Sequence, residues 1–115
     1  MSRDPLLYLD DIVQATEKIQ RTVTDLSFEA FCDNEVYLDA VLFNLQVIGE
    51  AAKKLSPDIL ARMPDIEWSE AAKFRDIIAH HYFALDTEII WDVVTNRIPE
   101  IREASHALLA RLDSI

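Results

Sequence analysis

A single glycine, Gly49, and four prolines serve all 115 residues, so the chain has almost none of the residues that turn a backbone tightly or interrupt a helix. Neither occurs between Pro64 and Pro99, and between Glu35 and Leu55 the one interruption is Gly49. Leu9, Ile12, Thr16, Ile19, Val23 and Leu26 recur at intervals of three or four, as do Ile90, Val94, Ile98, Ile101, Ser105, Leu108 and Leu112. That is the period of a helix buried along one face. No strand-like alternation, internal repeat or low-complexity stretch breaks the pattern. It predicts an all-α fold, an antiparallel bundle of four main helices plus short helical turns.

Asp4 before Pro5 predicts a capped start for a first helix over about 5–25. Residues 27–31 fit a short helical turn and 32–34 a connector. A second long helix over about 35–55 carries two apolar stripes, Val41, Leu45, Ile48, Ala52, Leu55 and Val36, Ala40, Phe43, Val47, Ala51. So wide an arc places it centrally or at a subunit contact. Gly49 within it costs about 1 kcal/mol against alanine, which is tolerable where another backbone must come close. Asn44 reads equally as a buried hydrogen-bonding group or a solvated one, and Glu50 reads as a solvated edge. Ser56-Pro57-Asp58 and Met63-Pro64-Asp65 leave 59–62 as at most one helical turn. A third long helix over about 69–81, a link at 83–85 and a last helix capped by Asp86-Thr87 follow, with Pro99 expected to end or kink it after Ile98.

Half of the residues are apolar, enough for one domain over 1–115 with a real core. Twenty-one acids against eleven bases give a net charge of -10, which argues against broad nonspecific adhesion to nucleic acid. The imbalance is local: residues 1–49 hold nine acids and three bases, whereas 50–81 hold six and five. An anion site is therefore favoured in the central third. Cys32 has no internal disulfide partner, the start of the chain lacks a secretory pattern, and the longest uncharged apolar stretch, 40–49, falls short of the ~20 residues a bilayer requires. A soluble protein of the reducing cytoplasm, with no membrane contact, is expected.

Chemistry concentrates in Arg75-Asp76-Ile77-Ile78-Ala79-His80-His81-Tyr82. Imidazole can take and return a proton near neutral pH, which makes His80 a candidate general acid and base. Arg75 offers a permanent charge and a planar fork of donors suited to phosphate oxygens. The same two residues also fit a surface pair and a helix C-terminal cap. On a helix turning about 100° per residue, Asp76 and His80 share a face and Arg75 nearly eclipses Tyr82, whereas Arg75 and His80 diverge by about 140°. One helix therefore holds Arg75 and His80 poorly on a single small group. Across a symmetric dimer axis they can converge.

Asp76 either orients His80 through its ring N–H or forms a surface pair with it. Tyr82 positions a phosphate, accepts a modification or packs on Trp68 or Phe83. Adjacent His80 and His81 do not make the i,i+4 pair of a helical zinc site, and no Cys-x-x-Cys is present, so neither a metal nor another cofactor is expected. His106 reads as solvated. With one glycine, a phosphate-cradling loop and a Gly-x-Ser-x-Gly elbow are both excluded.

Arg75, four residues, His80, one residue, Tyr82 resembles the signature of HepT-like toxins of the HEPN superfamily. The likeness extends to Asn44, Gly49-Glu50-Ala51-Ala52, Trp68, Asp76, Trp91-Asp92-Val93-Val94 and Ile98-Pro99, essentially the whole chain. The resemblance implies an all-helical homodimer whose two motif copies face a shared cleft, acting as a metal-independent endoribonuclease of a type VII-like toxin-antitoxin pair. His80 would transfer protons at the RNA 2'-hydroxyl and the leaving oxygen, Arg75 would stabilise charge on the phosphate, and Asp76 would orient the pair. A 2',3'-cyclic phosphate is the implied product. The implied partner is a small nucleotidyltransferase antitoxin that transfers AMP to Tyr82, placing charge and bulk about two turns from Arg75. The rival reading is a noncatalytic helical module that binds a nucleotide or docks a nucleotidyltransferase.

Overall fold

The computed structural model describes residues 4–63, 66, 68–81 and 86–113, excepting the side chains of 74, 77, 79–81 and 113. Helix α1 spans Pro5–Val23, with Asp4 accepting from the Leu6 N–H at 2.9 Å and Pro5 at the first helical position. It stops short of the expected residue 25, because Thr24 leaves the helical region and Asp25 takes a positive φ of 64°. Aspartate tolerates that left-handed conformation better than most residues. Ser27 caps α2, Phe28–Cys32, and Asn34 caps α3, Glu35–Lys54, its Oδ1 accepting from Val36 and Tyr37 N–H.

Ser56 caps a four-residue turn, α4, at Pro57–Leu60. It begins two residues before the expected 59, since Pro57 takes the first helical position, where its missing N–H costs nothing. Helix α5 is Trp68–His81 and α6 is Thr87–Asp92, capped by Asp86. The expected link at 83–85 lies outside the described residues.

Pro99 does not end the last helix. A widened turn at Val93–Arg97 precedes α7, Ile98–Asp113, and the Ile98 N–H reaches back five residues to the Val93 carbonyl. A proline ring crowds the carbonyl four residues before it and cannot donate. The extra residue in a π turn relieves that conflict while the chain stays helical.

Helix α1 packs on α3 and α7, and α3 packs on α5 as well. Leu9, Ile12 and Ile19 meet Val41, Leu42 and Ile48, with Ile78, Ile90, Ile98 and Leu108 joining the same buried cluster. Phe28 and Phe31 of α2 lie against Trp91, ring centroids 6.0 and 5.1 Å apart. The two stripes of α3 fare differently. Val41, Leu45, Ile48, Ala52 and Leu55 are all buried, whereas in the second stripe Ala51 is buried but Val36 and Phe43 are 72% and 63% exposed. Asn44 is buried and donates to the Ala40 carbonyl at 2.8 Å, which settles its role as a hydrogen-bonding group. Among the described residues there is no strand, and no helix is long and apolar enough to cross a membrane.

Candidate active site

The site begins at the glycine. A Cβ on Gly49 would run into Arg75 Cβ and stand 2.9 Å from the Ala71 carbonyl oxygen, so α3 and α5 approach each other more closely than a side chain at position 49 would permit. Glu50 and Lys53, one and four residues beyond Gly49, are thereby delivered to the neighbourhood of Arg75 and Asp76. Arg75 Nη2 forms an ion pair with Glu50 Oε2 at 3.1 Å. Its Nη1 donates to Asp76 Oδ1 at 2.9 Å, and Lys53 Nζ donates to the same oxygen at 3.4 Å. Two carboxylates and two cations thus form one balanced network.

The hydrogen bond from Arg75 is the main reason the Asp76 carboxyl sits below its ordinary value of 3.8; Lys53 adds to it and desolvation opposes it. A carboxyl depressed in the folded state stabilises the fold above its unfolded pKa and loses that contribution as pH falls through the folded one. Asp76 is nearly half exposed, so solvent screens the effect on stability. We expect the Asp76 midpoint, followed by the carboxyl carbon in an NMR titration, to rise in Arg75→Ala. An unmoved midpoint would assign the shift to Lys53 instead.

Arg75 and Glu50 open onto a groove of about 370 Å³ between α1 and α3, lined also by Tyr8, Asp11, Phe43, Gln46, Val47 and Ala51. The Arg75 side chain is 33% exposed. A guanidinium has five N–H donors, and among the described residues Asp76 and Glu50 meet its two terminal nitrogens, one each. The remaining donors suit a phosphate oxygen.

Of the residues singled out from sequence, Arg75 and Asp76 are brought together directly. His80 lies in the last turn of α5, five residues along from Arg75, a separation of about 140° around the axis. Its side chain lies outside the described residues, as does all of Tyr82. His106 is exposed on α7. Glu50 corrects the sequence reading: it is exposed, yet it is tied to Arg75 rather than merely solvated. Lys53 was not singled out at all. A glycine within a helix marks a close approach, a signal that could have found Lys53, one turn on along the same face; Glu50, about 100° around the axis, carries no such signal. Among the described residues no three His, Cys, Asp or Glu side chains converge as a metal set.

The family model for ribonuclease HepT-like proteins matches residues 12–108, a span that contains Glu50, Lys53, Arg75, Asp76 and His80. A Thermococcus cleftensis protein named as a probable ribonuclease HepT is 37% identical over 103 residues, covering 89% of this chain and 93% of the relative. A Methanocaldococcus jannaschii protein carrying an RNase name is 37% identical over 102 residues, 88% of this chain and 84% of its own length. A third relative, from Caldanaerobacter subterraneus and also with an RNase name, is 32% identical over 109 residues, 95% and 97% of the two chains. No solved structure matches the chain. A match over so much of the sequence, to a family model and to relatives of similar length, shows that the chain belongs to the ribonuclease HepT-like family.

Proposed function

We propose that this chain is a metal-independent endoribonuclease, the toxin of a toxin-antitoxin pair, acting as a homodimer in the cytoplasm. The observation that carries the reading is Arg75, a half-open cation fork on the groove wall, standing five residues before His80 on one helix within the family-matched span. The RNase names of the relatives point the same way.

In this mechanism His80 withdraws the proton of a ribose 2'-hydroxyl, whose oxygen attacks the adjacent phosphorus. The 5'-oxygen leaves with a proton returned by imidazole, giving a 2',3'-cyclic phosphate and a 5'-hydroxyl. Arg75 stabilises the charge that accumulates on the nonbridging oxygens. Asp76 is a positioning residue for Arg75. Because Arg75 and His80 diverge on their own helix, the working pair comes from two subunits meeting at a shared cleft. The exposed Val36 and Phe43 side of α3, which adjoins the groove through Phe43, supplies an apolar surface for that meeting. A nucleotidyltransferase antitoxin silences the site by placing AMP on Tyr82.

Purified protein incubated with RNA in excess EDTA is expected to cut it and leave 2',3'-cyclic phosphate ends. Intact RNA under those conditions would overturn the nuclease reading. Co-expression with a partner nucleotidyltransferase is expected to add AMP units to the intact mass, lost in Tyr82→Phe; an unmodified mass would remove the antitoxin step.

A further inference from the structure

We infer that Glu50 is a positioning residue for Arg75 and also the internal anion that an incoming phosphate displaces. The inference rests on the nuclease reading for its kinetic consequences, but the anion exchange itself follows from the charges at the site.

Arg75 is held from two directions that are not equivalent. Asp76 is its neighbour on α5, so that contact sets the fork only relative to α5 itself. Glu50 stands on α3, and the close packing at Gly49 fixes the separation of the two helices. The Glu50 contact therefore sets the direction of the guanidinium relative to the groove that both residues line. A long, flexible arginine gains most from such a tie, because its fork must be in place before substrate arrives.

The same contact opposes binding. Glu50 and Asp76 balance Lys53 and Arg75, leaving the network without net charge. The Glu50 side chain is 49% exposed and occupies Nη2, one of the two terminal nitrogens a phosphate would seek. Phosphate entering the groove replaces one anion by another and meets the repulsion of the displaced carboxylate. Removing the Glu50 charge alone gives the network one net positive charge, while an amide in its place keeps an oxygen that accepts from Arg75.

Three variants separate the two roles in a KM-against-kcat comparison on RNA. Glu50→Gln is expected to lower KM roughly two- to fivefold, the scale of one exposed ion pair, with kcat little changed. Glu50→Asp keeps the charge but shortens the reach, and should raise KM with kcat little changed. Glu50→Ala removes the charge and the tie together, so its KM should lie above that of Glu50→Gln, again with kcat little changed. A contact that served the fold alone would lower the melting temperature and leave both constants as they were, which would overturn the inference.

Binding of inorganic phosphate, followed by NMR without RNA, decides the anion exchange independently of cleavage. Glu50→Gln should bind phosphate more tightly than the unaltered chain, Arg75→Ala more weakly, and equal affinity in Glu50→Gln and the unaltered chain would overturn the proposal. If the unaltered chain leaves RNA intact, the nuclease reading fails while the phosphate result still stands for or against Glu50.

Discussion

Arg75→Ala is expected to slow RNA cleavage at least about a hundredfold, and His80→Ala to slow it by a similar factor or more. Removing one preorganised donor to developing oxyanion charge costs on the order of a hundred- to a thousandfold. Loss of a general acid and base costs about a hundred- to ten-thousandfold. Neither change should disturb the fold much. The partners of Arg75, Glu50 and Asp76, are each about half exposed, so both can be solvated when the guanidinium is gone. Initial rates on a labelled RNA, with circular dichroism as the control for helical content, provide the check. Rates within threefold of the unaltered chain would remove these residues from the mechanism.

Gly49→Val should lower stability by about 2–3 kcal/mol, near the upper end of what overpacking a tight contact costs. The helix itself gains a little, since glycine is the poorer helix former. The contact outweighs this, because the atoms in the way are Arg75 Cβ and a backbone carbonyl rather than the far end of a flexible side chain. For a chain of this size that is a fall of roughly 10 °C in Tm. Gly49→Ala should show the same sign to a smaller extent. Activity should fall further than stability alone would dictate, since pushing α5 from α3 parts Arg75 from Glu50. Unchanged melting in both variants would mean the two helices do not close on Gly49 in solution.

The helices were legible in the sequence because their determinants are local. Asp4, Asn34, Ser56 and Asp86 cap the elements that follow them, and spacing of three and four marked the buried faces. Pro99 does not end the helix, for a nonlocal reason: the packing of Ile98 and Leu108 in the core keeps the chain helical, and the strain goes into a wider turn instead. Within the site, Arg75 and Asp76 could be found because they are adjacent and charged. Glu50 and Lys53 depend on how α3 is rotated against α5, which no residue pattern within α3 specifies by itself. Only Gly49 hinted at it, through the close approach it permits. The second stripe of α3 showed a related limit, since a face covered by the same chain and a face left open look alike in composition.

The central claim is that a guanidinium and an imidazole from different subunits act on one phosphodiester. Mixing Arg75→Ala chains with His80→Ala chains, after unfolding and refolding together, tests it most directly. Each mixed dimer would retain one intact pair, so randomly paired chains should recover about a quarter of the activity of the unaltered protein. Two inactive parents whose mixture stays inactive, although mixed dimers are detected by mass, would contradict the account.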